Sequence, residues 1–351
     1  MLRVAVSDLR GFVDALMSAA GVDGAEAEVL SDNLLWNDLA GRANHGVERL
    51  PILLRRVKAG LIRTPAQMNL QEISPSAALL DADHGFGQVA GTRATDRAVE
   101  LARATGVGAV GVQRSNFFGT GAYYINRAAE AGMISLVLSN SFPKVAAEGG
   151  YKPVLGTNPF GFGAPGRDGR SLIVDMSTAG LAGSTVRAYQ RNGLDLPEGL
   201  VVDDRGRPVT DPNEAMKGTL LPASGAKGFG LALMVEVLSG VLTGAGISSQ
   251  VASMYKDFER QGNSGHFIVA LDVSRWMPLE SFFERMDVLA DMVACSGPAG
   301  SVRFPGEARW NAMAENRDRG ISLEAKTSTG LRELAAGFGI DVPWQGSGPA
   351  V

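Results

Sequence analysis

Between Gly106 and Ser139 the chain passes through a short apolar run, a polar loop, a helical pattern and a second apolar run. This order limits the fold more than any other feature of the sequence. Gly106 to Val112 reads as a buried strand, and the loop Arg114 to Gly121 follows it. Tyr124, Ile125, Ala128 and Ala129 then mark a helix, and Met133 to Ser139 a strand. Strand, loop, helix and strand predict an α/β fold, with the loop where such sheets usually bind ligands. Leu172 to Met176 and His266 to Asp272 add two strands. Thr95 to Ala104 and Leu279 to Val293 read as helices, and Lys227 to Leu242, apolar on most sides, as an internal one.

The start of the chain is helical. Ser7 is a candidate cap for a helix carrying Leu9, Phe12, Val13, Leu16 and Met17, which Gly21 would end. Asp23 and Glu26 resemble a capping box before a second helix with Val29, Leu30 and Leu34 inward. A loop from Gly41 to Gly46 leads into Leu50 to Val57.

With 351 residues, 45% of them hydrophobic, there is ample material for a core. The formal net charge of −4 without a long basic block gives nucleic acid or a membrane surface no electrostatic footprint. Cys295 is the single cysteine, so no internal disulfide or cysteine-rich metal site is expected, and a reducing compartment is. The first residues show no apolar run of signal-peptide length, and Val237 to Tyr255 is broken by Gly240, Gly244 and Gly246. The expectation is a cytoplasmic protein with no membrane span.

Two runs match G-x-G-x-x-G, Gly106 to Gly111 and Gly161 to Gly166. The first is itself a strand, and the second leads into a turn and another strand. Neither has the strand, glycine loop and helix order that cradles a diphosphate, so neither is a Rossmann fingerprint. The three histidines are too scattered for a metal site. His84 reads as a turn residue and His266 as structural. His45 lies four residues before Arg49, on one face if the segment is helical; a proton donor beside a carboxylate clamp is what reduction of a 2-oxo acid needs. The plain alternative is a surface histidine in a polar loop. Lys227 stands at an apparent helix start, where it either meets a phosphate or is simply solvated.

Several segments, in order through nearly the whole chain, resemble one family, the malate/L-lactate dehydrogenase-like oxidoreductases. They are Asn44 to Pro51, Ser115 to Gly119, Gly156 to Pro159, Asp175 to Thr178, Gly193 to Gly199, Thr210 to Pro212, Ser224 to Leu231 and Pro305 to Glu307. The resemblance implies an α/β homodimer with a mixed-sheet, non-Rossmann dinucleotide-binding fold, NADH or NADPH as cofactor and a small carboxylate substrate. It divides the chain into an N-terminal helical segment at 1–80, a cofactor-binding and catalytic body at 81–300, and a C-terminal segment at 301–351 that returns to the body. It makes His45 the proton-transfer group, Arg49 the carboxylate clamp and Asp175 a further catalytic residue. Gly119, Thr120, Ser177, Thr178, Lys227, Gly228, Pro305, Gly306 and Glu307 correspond to segments that hold the cofactor.

The departures from the pattern cluster around the expected pocket. Asn44 stands where many members have serine, and Leu53 where an aromatic residue is common. Phe117 replaces a second histidine, and Phe142 an aspartate of some relatives. These changes predict a larger or more apolar substrate than malate or lactate, and His45 as the sole proton donor. The expected reaction moves hydride between NAD(P)H and C2 of a 2-oxo acid or cyclic 2-imino acid, the latter a ketimine reductase activity. The alternative is a diverged member with non-redox chemistry on a carboxylate.

Overall fold

The computed structural model describes residues 2–298 and 300–344. Seven strands form the main sheet, in the order Asn69–Ser74, Ala77–Asp81, Val107–Ser115, Ser264–Asp272, Met133–Ser139, Phe160–Ala164 and Leu172–Met176. Ala77–Asp81 runs parallel to Val107–Ser115, and the other neighbours pair antiparallel. The expected strand, helix and strand unit is present. Its two strands point the same way, but Ser264–Asp272 lies between them, antiparallel to both. That late strand is alternately fully buried and half-buried, as a central strand flanked by helices should be.

Helices Gly87–Thr105 and Gly121–Glu130 cover one face of the sheet. The first begins well before Thr95. Its early glycines are packing positions and not breakers: a Cβ on Gly91 would stand 2.6 Å from the Tyr124 ring. Both G-x-G-x-x-G runs prove to be sheet and packing glycines. Gly108 and Gly111 lie within Val107–Ser115, and Gly161 and Gly163 within Phe160–Ala164, where a Cβ on Gly163 would meet Ile125 at 2.0 Å.

The opposite face carries the helix Ala226–Glu236, which continues as a π-helical turn over Val237–Val241. This segment departs from the internal helix expected. Ala232, Val235, Ser239 and Gly240 are buried against the sheet, whereas Leu233, Val237, Val241 and Leu242 are 43–62% exposed. Apolar residues on two sides serve two surfaces, and the sheet covers one.

Two further cores complete the chain. Helices Val6–Ala19, Gly24–Leu39 and Leu50–Lys58 share a hydrophobic cluster with Ile321, Leu323, Leu331 and Trp344, and Leu2–Val4 pairs with Ile321–Leu323. The first helix starts at Val6 after Ala5, one step before the expected Ser7 cap. Asp23 caps the second by accepting the N–H groups of Ala25 and Glu26, but Glu26 turns away to accept the N–H of Ala66. A smaller lobe is built on the sheet of Val201–Val202, Thr219–Leu220, Val145–Ala146 and Pro153–Leu155, with Leu196, Val201 and Leu220 in its core. The helix Gly183–Asn192 belongs to it through Val186.

Candidate active site

The segment before the third N-terminal helix sets the geometry. Ala43–His45 and Val47–Arg49 are two separate 3₁₀ turns broken at Gly46, and Leu50–Lys58 follows with Pro51 in its first turn. His45 and Arg49 therefore do not share one helix face, which corrects the spacing argument. Arg49 nevertheless folds back on this segment, its Nε donating to the carbonyl of Asn44, the residue before His45. Asp38, from Gly24–Leu39, fixes this loop by accepting the Val47 N–H at 2.8 Å. Only glycine fits at position 46, where a Cβ would lie 2.1 Å from the Asp38 carboxylate. Burial pushes the Asp38 carboxyl up to about 8, with Glu48 adding to the rise and the Val47 N–H opposing it.

The His45 ring stacks on Phe117, centroids 5.7 Å apart and planes 14° apart. Its Nδ1 is buried without a hydrogen-bond partner. Burial first, then the cations Arg49, Arg42 and Arg309, push its pKa down to about 3. Arg49 is itself buried and held on three sides. Nε donates to the Asn44 carbonyl at 2.5 Å, Nη1 to the Tyr255 hydroxyl at 3.0 Å, and Nη2 to Glu48 at 3.2 Å. Tyr255 meets Phe142 edge-on at 6.2 Å. Asn44, His45, Arg49, Phe117 and Phe142 thus form one connected cluster. Leu53 is 1% exposed, within the apolar cluster of the N-terminal helices against which Phe117 also packs.

A second group forms around Arg309. Asp175, near the end of Leu172–Met176, accepts from Arg309 Nη2 at 3.0 Å, both side chains nearly buried. The Gly121 and Ala122 N–H groups at the start of Gly121–Glu130 also reach its carboxylate. Burial raises the Asp175 pKa, and Arg309 opposes that rise. Pro305, Gly306 and Glu307 have a visible structural task here. The Pro305 carbonyl accepts the Ile173 N–H at 3.2 Å, Gly306 adopts φ of 106°, and Glu307 opens the helix Glu307–Arg319 that carries Arg309 to Asp175. Arg309 Nη1 is buried without a partner, the second orphaned donor in this region.

The remaining expected cofactor residues occupy several separate loops and helix starts. Gly119 takes φ of 87°. Thr120 is buried and donates to Asn37 at 2.6 Å, away from the sheet. Ser177 and Thr178 donate to the Thr157 carbonyl, each at 3.1 Å, and Thr178 accepts the Ala223 N–H, which fastens them to the loop before Ala226–Glu236. Lys227 is exposed in the first turn of that helix, whose N-terminus has no side-chain cap. Gly228 packs on the Ala223 carbonyl. Arg42, Asp38, Tyr255 and Arg309 were not singled out from the sequence; Asp38 and Arg309 are buried, and a buried aspartate or arginine looks like a surface one until its partners are known. His266 is fully buried between Ser139 and Ser115, at 2.9 and 2.8 Å, a structural position. Among the described residues no group of three or more His, Cys, Asp or Glu could hold a metal, and no helix is long and apolar enough to cross a membrane.

Comparison with known proteins adds an independent line. The family model described as malate/L-lactate dehydrogenase matches residues 4–332. The chain is 34% identical to the malate/(S)-sulfolactate dehydrogenase of Methanothermus fervidus over 335 residues, covering 95% of this chain and 98% of that protein. It is 35% identical to the (2R)-3-sulfolactate dehydrogenase (NADP(+)) of Chromohalobacter salexigens, over 88% of this chain and 90% of the relative. Among solved structures, the Δ1-piperideine-2-carboxylate reductase of Pseudomonas syringae superposes with a TM-score of 0.86 at 28% identity, covering 95% of this chain and all (100%) of the other.

Proposed function

The chain belongs to the malate/L-lactate dehydrogenase family, and from that premise we propose that it moves a hydride between NAD(P)H and C2 of a 2-oxo acid or a cyclic 2-imino acid. At the coarser level it is an NAD(P)-dependent oxidoreductase acting on 2-hydroxy or 2-oxo acids. The relatives act by oxidation and reduction, which leaves the non-redox alternative without support.

One observation carries the reading: a half-buried histidine whose Nδ1 has no partner directly follows Asn44, whose carbonyl accepts from a buried arginine that also donates to Tyr255, edge-on to Phe142. Arg49 suits a substrate carboxylate, because a fork of N–H donors matches two carboxylate oxygens. His45 handles the proton on the C2 oxygen or nitrogen. Asp175 pairs with Arg309 and holds that arginine in place.

The residues fit a nicotinamide dinucleotide. An uncapped helix start with an exposed lysine, Lys227, suits a diphosphate, and the unpartnered nitrogens of His45 and Arg309 suit polar groups at the reacting end. Gly119, Thr120, Ser177, Thr178, Gly228 and Pro305 to Glu307 would shape the cleft between these two ends. The bound cofactor supplies or takes the hydride. No Rossmann loop takes part in this reading, since both glycine runs pack within the sheet.

His45 is neutral in the free protein at ordinary pH, the form that accepts a proton from an alcohol. In the reducing direction it must first be charged. A substrate carboxylate on Arg49 offsets the nearest cation and so raises the proton affinity of His45. Phe117, stacked on His45, cannot shuttle a proton, so His45 acts alone. Phe117 and Phe142 favour a substrate with an apolar body, and the unburied helix face over Val237–Leu242 is the surface a second copy would cover in a homodimer. The cytoplasm completes the proposal.

A thermal-shift titration with NADH and NADPH, followed by an activity panel of 2-oxo acids and cyclic imines, tests it. Stabilisation that grows with the logarithm of cofactor concentration, with turnover of at least one panel member, is expected. No stabilisation by either cofactor and no turnover would overturn the reading.

A further inference from the structure

The two rings stacked at the candidate site, His45 and Phe117, come from different loops. Both loops are fastened to the last turns of one helix, Gly24–Leu39. On the His45 side, the Arg42 N–H donates to the Asn37 carbonyl at 2.8 Å, and the Val47 N–H to the Asp38 carboxylate, also at 2.8 Å. These bonds bracket His45. On the Phe117 side, the Thr120 hydroxyl donates to Asn37 Oδ1 at 2.6 Å. Gly119 lies against Asn33, one turn back along the same helix, where a Cβ would stand 2.9 Å from Asn33 Oδ1. Asn37 therefore holds both loops, one through its main chain and the other through its side chain.

The chemistry at position 37 is narrowly set. Asn37 is 0% exposed, and its Nδ2 donates to the Asn33 carbonyl at 2.9 Å. A main-chain carbonyl can only accept, so the amide is fixed with Oδ1 toward Thr120, and the Thr120 proton is committed to Asn37. Aspartate here would set acceptor against acceptor, and an apolar residue would take this partner from a buried hydroxyl. The rest of the Phe117 loop is anchored elsewhere. Asn116 Nδ2 donates to the His84 and Gly85 carbonyls at 2.8 and 3.0 Å, and Tyr124 donates to the Phe118 carbonyl. The Thr120 bond is what ties this loop to the helix that also carries the His45 loop.

We propose that Asn37 is a positioning residue: acting through Thr120, it holds Phe117 in register against His45, the group that handles the proton. The register itself is independent of the reaction; its effect on turnover rests on the hydride-transfer reading.

The chain has three histidines, His45, His84 and His266, so the register can be read by NMR of the full chain with labelled histidine rings. His45→Ala assigns the His45 signal. A ring stacked on a proton displaces its resonance, and Phe117→Leu supplies the position without that ring. Asn37→Ala and Thr120→Val are expected to move the His45 signal at least halfway toward the Phe117→Leu position. His84, beside the Asn116 anchor, and His266, stacked on Phe118, are expected to keep theirs. Thr120→Ser, which retains the hydroxyl, is expected to leave the His45 signal where the parent has it. In kinetics, Asn37→Ala is expected to lower kcat about tenfold or more, the cost of a small misplacement near the reacting atoms, with cofactor affinity by calorimetry unchanged. A His45 signal that stays put, or that moves together with those of His84 and His266, overturns the proposal, because the bond then serves no register or serves the fold at large. A kcat equal to the parent's, or a cofactor affinity that falls as far as kcat, overturns it as well. A parent without redox activity would instead count against the hydride-transfer reading, and the NMR result would then decide the register alone.

Discussion

His45 carries the chemistry of the account, and its surroundings set an unusual condition on it. Burial and three arginines hold its pKa near 3, so charging it requires a change in the field around it. An unreactive carboxylate analogue of the substrate, bound with cofactor at neutral pH, should therefore take up a fraction of a proton, up to about one per site. Calorimetry in buffers of different ionisation enthalpy reads this directly. The uptake should vanish in His45→Ala, whose turnover should fall about a hundredfold or more, the weight of a general acid–base group. Uptake that persists in the variant would move the proton to another residue. Asp38 gives a second pH signature through stability. Its folded pKa is raised from 3.8 to about 8. The stability it contributes is full below the unfolded value and is lost as pH rises through the folded one. Asp38→Asn, neutral throughout, should flatten the decline in Tm over that window; profiles that stay parallel would mean Asp38 is already ionised in the fold.

At the scale of elements, what was legible depended on how local the cause is. The helix start at Lys227 showed in the sequence because a glycine-rich turn and an apolar pattern lie within a few residues of it. Met133–Ser139 and Leu172–Met176 were equally plain from short apolar runs. The His45–Arg49 spacing suggested one helix, but Gly46 must bend to clear Asp38, a contact from the preceding helix that spacing cannot reveal. Arg309 lay hidden for the same reason: its meaning comes from Asp175, far away in the chain. Leu53 is buried in the cluster that Phe117 packs against, a contact between distant segments that the sequence does not display. Lys227 yields a prediction at this scale. Lys227→Ala should weaken cofactor binding with little change in Tm, because the exposed side chain forms no ion pair or hydrogen bond among the described residues while the helix start remains. Equal cofactor affinity by calorimetry in variant and parent would make Lys227 a solvated turn residue.

For the whole molecule, the helix Ala226–Glu236 and its π-helical continuation link the proposed cofactor end to an apolar outer face. Leu233, Val237, Val241 and Leu242 would gain about 25 cal/mol for each Å² of apolar surface covered, which favours self-association. Light scattering should find a dimer, and Val241→Glu with Leu242→Glu should shift it toward monomer; a parent that is monomeric at all concentrations would remove this face from the proposal. The central claim, hydride transfer to C2, has one direct test. Cofactor carrying deuterium at the nicotinamide C4 is turned over with an active 2-oxo acid or cyclic imine, and the product is read by NMR. The account predicts deuterium bonded to C2 of the product, transferred from one face of the cofactor. Product whose C2 hydrogen comes from solvent, or a reaction that proceeds equally without cofactor, would contradict it.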